Sequence, residues 1–246
     1  DDGTPIPRYL TDRGMLPGIK VDTGAKPLAG HPGETVTEGL DGLRERCEEY
    51  YNMGARFAKW RAVISISENC PSAASVSTNS HALARYASIC QEQGLVPIIE
   101  PEVLMDGDHS IMECFKVTSE VLKAVYSECR IQGVVLSGTI LKPNMVLPGK
   151  ESRGALADEV AKLTCEALQQ NVPKDVAGIA FLSGGQSDYD ATNHLHRINQ
   201  VAEKSPWPIT FSFGRALLAD ALSLWARSKT EAAQTKLLKR SAENSR

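Results

Sequence analysis

GVVLSGTILKPNMV, residues 133–146, is the stretch on which the reading of the chain turns. It is apolar and rich in β-branched residues, with one lysine, Lys142, set between Leu141 and Pro143. Such a run describes a strand buried on both faces, the habit of parallel sheets. Pro143 biases Lys142 toward an extended conformation and cannot donate to a ladder, so pairing stops there. Lys142 is therefore expected at the C-terminal end of the strand, on the face shared with Leu136, Gly138 and Ile140. Gly138 adds no bulk to that face, which leaves room beside the ammonium. An amine held in apolar surroundings is less readily charged, and a free amine attacks a carbonyl carbon to form a Schiff base. A lysine that merely reaches out to solvent from a strand end satisfies the same pattern. The neighbouring strands choose between the two.

Upstream, LVPIIEPE (95–102) and FAKWRAVI (57–64) read as strands, and GIKVD (18–22) as a short one. Residues 37–53 form a helix stopped by Gly54, and Ser72 caps another that runs to Gln93 and ends at Gly94. Asp108 is expected to cap a third helix, whose stripe of Ile111, Cys114, Phe115, Thr118, Val121, Leu122, Val125 and Tyr126 is strongly amphipathic. Residues 6–16 and the Gly/Pro/Thr-rich run 22–35 read as connections. Downstream, a helix bearing Leu156, Val160, Leu163 and Leu168 precedes a strand at AGIAFLSGG (177–185). A helix over 187–202, a strand at PITFSFGR (208–215) and helices over 216–229 and 230–242 complete the chain. Six strict alternations with short connections mean βαβ units and a parallel sheet. With no linker or low-complexity run, residues 1–246 read as one domain, a length that α/β barrels commonly reach.

Composition narrows the partners. A net charge of −3 gives no reason to expect nucleic acid or an anionic membrane. No apolar run approaches the ~20 residues of a membrane helix, and DDGTPIPRYL lacks the pattern of a signal peptide. The six cysteines form no C-x-x-C pair, which favours reduced thiols in a cytosol-like compartment. The five histidines make no metal-ligand pattern; His194 and His196 stand two apart on a helix and point to different faces. Metal-free chemistry through a lysine fits better. Trp60, Trp207 and Trp225 read as packing residues.

In an α/β barrel the chemistry sits where strands end. The strand ends here deliver Lys20 and Asp22, Lys59 and Arg61, Glu100 and Glu102, Lys142, then Ser183 with Gly184 and Gly185, and Gly214 with Arg215. Polar groups gathered at the same end of six strands are hard to obtain from solvated faces, which favours the reactive reading of Lys142. Cations outnumber acids, which suits an anionic substrate. FLSGGQS can turn successive backbone N–H groups toward an anion, Ser183 adds a hydroxyl and Arg215 a planar fork. The last two strand ends together make a phosphate cradle.

FAKWR, GLVPIIEPE, GTILKPNMV, FLSGGQS and FSFGRAL, with PLAGHPGETVTEGLDGL upstream, resemble class I (Schiff-base) fructose-1,6-bisphosphate aldolase over nearly the whole chain. The resemblance implies a TIM (β/α)8 barrel that reversibly cleaves fructose 1,6-bisphosphate into dihydroxyacetone phosphate and glyceraldehyde 3-phosphate. It further implies a cytoplasmic homotetramer of glycolysis and gluconeogenesis with no metal or other cofactor. Lys142 takes the place of the Schiff-base lysine, Glu100 of the acid/base that helps dehydrate the carbinolamine, and Lys59 of their charged neighbour. Arg61 and Lys20 match family positions close to the phosphate and cation cluster, and Glu102 a supporting carboxylate among the substrate-binding residues. Ser183, Gly184, Gly185, Ser212, Gly214 and Arg215 match the site for the ketose 1-phosphate. The sequence departs from the family in having six βα units where a closed barrel has eight. The strand on which the family carries an aspartate active in C–C cleavage has no counterpart, nor has its tyrosine-ended C-terminal tail. Thr23 and Ser137 replace a lysine and an acid common there. An alternative expectation follows: a truncated, non-catalytic barrel fragment that still binds sugar phosphate.

Overall fold

The computed structural model describes residues 3–245; Asp1, Asp2 and Arg246, at the ends of the expected domain, lie outside them. The elements begin α1 (Ile6–Thr11), β1 (Gly18–Lys20), β2 (Gly24–Pro27), β3 (Thr35–Glu38), α2 (Leu43–Asn52), β4 (Phe57–Ile64), α3 (Ala73–Glu92) and β5 (Val96–Val103). They continue with α4 (Ile111–Ile131), a 3-10 turn at Leu136–Gly138, β6 (Ile140–Leu141) and α5 (Ala157–Asn171). The chain closes with β7 (Gly178–Phe181), α6 (Asp188–Val201), β8 (Ile209–Phe211), α7 (Arg215–Ala226) and α8 (Thr230–Asn244).

β1, β4, β5, β6, β7 and β8 form one sheet in that order, and every neighbouring pair is parallel. An order that follows the chain without reversal is the winding of a barrel, not of a doubly wound sheet. The six expected strands are all present, and the fold is the expected α/β barrel arrangement with six of eight units. The ring does not close: among the described residues, β1 and β8 each keep an unpaired edge.

Alternation in β4 decides which face does what. Ala58, Trp60, Ala62 and Ile64 are buried, while Phe57, Lys59, Arg61 and Val63 are half-buried on the other face. Trp60 stacks on Tyr86 of α3 at 5.5 Å between ring centroids, and the Tyr86 hydroxyl donates to the carbonyls of Ala58 and Ile98. The buried face thus meets the helices, and the lysine and arginine occupy the concave side. Register carries that side across the sheet. Lys20 stands opposite Lys59, Arg61 opposite Glu100, and Ile98 opposite Ile140. Two residues beyond Ile98 and Ile140, Glu100 and Lys142 fall side by side.

The decisive stretch is only in part a strand. Residues 133–138 lie outside the ladder, Thr139 only accepts from Ala177 N at 3.1 Å, and β6 is two residues long. Gln91 of α3 explains this: its amide donates to the Val135 carbonyl at 2.8 Å and accepts from the Val135 N–H at 3.0 Å. The side chain takes the groups a ladder would have used, and Val135 is exposed. A Cβ on Gly138 would lie 3.1 Å from Gln91 Nε2, so this glycine makes room for Gln91, not for the ammonium.

Beyond Lys142 the backbone leaves the sheet but stays buried. Asn144 Oδ1 accepts from Val103 N at 3.0 Å, and its Nδ2 donates to Thr118 Oγ1 and the Met145 carbonyl. Val146 N donates to Thr164 Oγ1 at 2.9 Å. Side chains of α4 and α5 thereby hold the segment that follows the lysine.

Other expectations need correcting. Residues 6–16 contain α1. The run 22–35 is not a plain connection, because β2 and β3 pair as an antiparallel hairpin. The Thr37 hydroxyl is tied to the Arg61 carbonyl, and Asn79 of α3 donates to the Thr35 carbonyl. Thr37 therefore lies in β3, and α2 begins only at Leu43. α4 is capped by Ser110, not Asp108, through a reciprocal capping box with Glu113. The strand expected over 177–185 stops at Phe181, and that over 208–215 at Phe211. Trp60 and Trp207 are core residues, but Trp225 is largely exposed on α7 with Leu222. Among the described residues no helix is long and apolar enough to cross a membrane.

Asn144→Leu keeps the volume but leaves the Val103 N–H unpaired in the interior. We expect a loss of about 2 kcal/mol, read from the midpoint of urea denaturation. A variant as stable as the parent would show that Asn144 does not hold this segment.

Candidate active site

Strand ends place the charged groups. Glu100, buried on β5, lies between two ammonium groups: Lys142 Nζ is 3.0 Å from Oε1, and Lys59 Nζ is 2.9 Å from Oε2. Neither contact lies along a hydrogen-bonding direction, and buried Oε2 has no aligned donor among the described residues. Lys142 keeps 14% of its side chain exposed, Lys59 22% and Glu100 5%. The amine is thus held inside the mouth yet reachable from it. Its surroundings are not apolar, as first expected, but a shared carboxylate.

A second tier continues the row. Arg61 Nε meets Glu102 Oε2 at 2.5 Å. Partial burial works against the Arg61 charge, but the hydrogen bond and charge of Glu102, with Glu100 and Asp22, hold it above the ordinary arginine value. Lys20 Nζ meets Asp22 Oδ1 at 2.5 Å, and Asp22 Oδ2 accepts from the Arg61 backbone N–H at 3.2 Å. Asp22 so bolts the end of β1 to β4. Four cations share three carboxylates here.

The other predicted residues sit on the far side of Lys142. Leu182 N donates to the Pro143 carbonyl at 3.1 Å, and Ser212 N to the Phe181 carbonyl at 2.8 Å. Ser183 and Ser212 therefore follow Lys142 around the rim. Ser183 to Gln186 form a tight turn, closed by Gln186 N donating to the Ser183 carbonyl at 3.0 Å. Gly184 (φ +60°) and Gly185 (φ +86°) both take left-handed angles, which glycine alone adopts freely. Gly214 is the N-cap of α7 and Arg215 its first residue, so the arginine stands at a helix N-terminus and not on a strand. A Cβ on Gly185 would lie 3.4 Å from Arg215 Nη2, which brings the glycine turn and the arginine together. A cavity of about 890 Å³ between α6 and α8 contains none of these residues.

Sequence reasoning missed two parts of this rim. Lys150, whose Nζ also lies 3.4 Å from the Gly185 Cβ position, carried no motif. His194 belongs to no metal-ligand pattern, yet its Nδ1 is 2.6 Å from Gln186 Oε1, and Gln186 Nε2 donates to the Ser183 carbonyl at 2.9 Å. The i+8 spacing of Gln186 and His194 across a helix N-cap was the available signal. Among the described residues no group of three or more His, Cys, Asp or Glu side chains could hold a metal.

A parallel sheet wound in sequence, with an amine against a shared buried carboxylate and a glycine turn beside an arginine at the strand C-termini, is the arrangement of a barrel lyase of the Schiff-base class. The family model described as "Fructose-bisphosphate aldolase class-I" matches residues 1–246. The "Probable fructose-bisphosphate aldolase class 1" of Xanthomonas campestris is 53% identical, covering 99% of this chain and 74% of that protein. "Fructose-bisphosphate aldolase 6, cytosolic" of Arabidopsis thaliana is 52% identical, covering 99% and 69%. The solved fructose-bisphosphate aldolase of Plasmodium falciparum, in complex with TRAP and a small-molecule inhibitor, superimposes with a TM-score of 0.96 at 44% identity. That match covers all of this chain and 72% of the other.

The chain belongs to the class-I fructose-bisphosphate aldolase family. It is a lyase that reversibly cleaves fructose 1,6-bisphosphate to dihydroxyacetone phosphate and glyceraldehyde 3-phosphate through a lysine Schiff base, without a metal.

Burial holds the His194 imidazole below its ordinary value of 6.5, against the opposing pull of Asp190. The unfolded chain therefore binds this proton more readily than the native one. Its contribution is present above that ordinary value and fades as pH falls below it. A 1H–15N titration should place the His194 midpoint under 6.5, with the glycine-turn amides shifting alongside. A midpoint at or above it contradicts the geometry.

Proposed function

We propose that Lys142 is the amine that carries the substrate, with Glu100 as its proton carrier and Lys59 as the fixed cation beside both. The single observation behind this reading is the pair of contacts to Glu100, 3.0 Å from Lys142 and 2.9 Å from Lys59. Lys142 Nζ, its ammonium proton passed to Glu100, attacks the C2 carbonyl carbon of the ketose, and a proton moves from the nitrogen to the oxygen to give a carbinolamine. Glu100 then supplies the proton with which that hydroxyl leaves as water, forming the iminium. The C3–C4 bond breaks with its electron pair drawn into the iminium, giving an enamine and releasing the aldehyde. Protonation at C3 and return of water free the second product and Lys142. The resemblance assigns the proton acceptor for the 4-hydroxyl to an aspartate that has no counterpart among the residues matched here.

Arg61 and Lys20 form the tier that receives the more distant phosphate, with Glu102 as the carboxylate that holds Arg61. Ser183, Gly184, Gly185, Ser212, Gly214 and Arg215 form the cradle for the phosphate next to the carbonyl. The left-handed turn at Gly184–Gly185 and the proximity of Arg215 support the cradle. The same reading takes residues 1–246 as one domain, supported by a buried apolar cluster that runs from Val21 to Ala216. It also takes the protein as a cytoplasmic homotetramer, in keeping with plant relatives named cytosolic and cytoplasmic. Light scattering should then report four chains of 26.7 kDa; a monomer mass would remove the tetramer from the reading.

Borohydride with dihydroxyacetone phosphate should leave a covalent adduct on Lys142, located by peptide mass spectrometry, and none in Lys142→Met. Glu100→Gln should slow adduct formation by about 100-fold, the usual worth of a positioned acid. An adduct on another lysine would overturn the assignment.

A further inference from the structure

Lys150 lies in the connection PGKESRG (148–154), where nothing in the sequence marks it for chemistry. The fold nevertheless fixes its backbone with unusual care for an exposed residue. Gly149 N donates to the His109 carbonyl, Lys150 N to that of Met105 and Glu151 N to that of Gly107, at 2.8, 2.8 and 2.9 Å. A Cβ on Gly149 would lie 2.2 Å from the Gly107 carbonyl oxygen, so the two connections pack backbone on backbone. Asp106, on the facing connection, then holds Lys150 Nζ at 2.8 Å.

That placement aims the ammonium at the glycine turn. Lys150 Nζ and Arg215 Nη2 each lie 3.4 Å from the Cβ position of Gly185, hence no farther apart than twice that distance. Two cations facing the same bare backbone repel unless an anion lies between them. Arg215 has no ion pair among the described residues. The Asp106 carboxylate is 64% exposed, and such surface pairs hold weakly. The three side chains together keep one positive charge beside the Ser183–Gln186 N–H groups. A planar fork and a point charge on one face of a glycine turn are complementary to a phosphate dianion.

We propose that Lys150 is a second cation of the phosphate cradle and binds, with Arg215, the phosphate next to the substrate carbonyl. This rests on the reading of the Ser183–Gln186 turn and Arg215 as that cradle. Lys150 sets affinity for the phosphorylated ketone and takes no part in the chemistry at Lys142. Asp106 positions it until the anion arrives.

The test measures borohydride trapping on Lys142 as a function of ketone concentration, in the parent chain and in Lys150→Met, Lys150→Arg and Arg215→Ala. With dihydroxyacetone phosphate, Lys150→Met should raise the half-saturating concentration about tenfold, the loss of one hydrogen bond to a charged group. Lys150→Arg should restore most of it. With unphosphorylated dihydroxyacetone, Lys150→Met should trap like the parent. A normal value in Lys150→Met beside a raised one in Arg215→Ala overturns the role of Lys150 and leaves the cradle standing. No effect from either variant overturns both. Equal losses with and without the phosphate would show Lys150 to be a structural support only, and overturn the proposal.

Discussion

A carboxylate taken out of water inside a protein needs partners, and Glu100 has two: the ammonium groups of Lys59 and Lys142. Removing either partner from a buried pair typically costs about 3–5 kcal/mol, because a charge is left without compensation. Two lysines on one carboxylate avoid that exposure in an economical way. Should Lys142 give up its charge, Glu100 still faces Lys59. The arrangement lets one member of the trio change state while the others hold their places. Every other charged group of the mouth is arranged outward from it.

Sheet register is what makes the trio possible. Arg61 faces Glu100, and Ile98 faces Ile140, so the concave side of three consecutive strands presents base, acid and base. The opposite side of the same strands carries Ala58, Trp60 and Ile99, which close against the helices. Packing and chemistry thus occupy alternate residues of one element. The weakness of such a design is at β6, whose two ladder residues could not hold a lysine by pairing alone. Lys142 is tied instead by its own N–H to the Ile99 carbonyl at 2.8 Å and by the anchored segment behind it.

Much of this could be read from letters. In FAKWRAVI the alternation of Ala58, Trp60 and Ala62 with Lys59 and Arg61 gave both the strand and its two faces, and β4 has the expected bounds. LVPIIEPE gave β5 to within one residue at each end, and with it the two carboxylates. The resemblance supplied the family, and the comparisons agree. What escaped was decided by side chains distant in sequence. Residues 133–139 have the composition of a strand, but one glutamine on α3 claims the N–H and carbonyl of Val135. Residues 22–35 read as a loop and Thr37 as the start of a helix, but Thr35 and Thr37 find partners on β4 and α3. Lys150 lay outside every pattern because its position is set by backbone contact between two connections, which composition does not record.

Asn144, Thr118 and Thr164 carry a consequence for how this chain tolerates change. Two of them belong to helices on the outside of the sheet, where a threonine on a buried stripe looks like an interchangeable filler beside valine. Here each hydroxyl is a moorage for the peptide that trails the key amine: Thr118 receives the Asn144 amide, and Thr164 receives Val146 N. Exchange of hydroxyl for methyl at either place would conserve shape and still slacken the tether. Drift in the helical layer is therefore coupled to the aim of a side chain it never touches, and a swap that looks silent by size is not silent by chemistry.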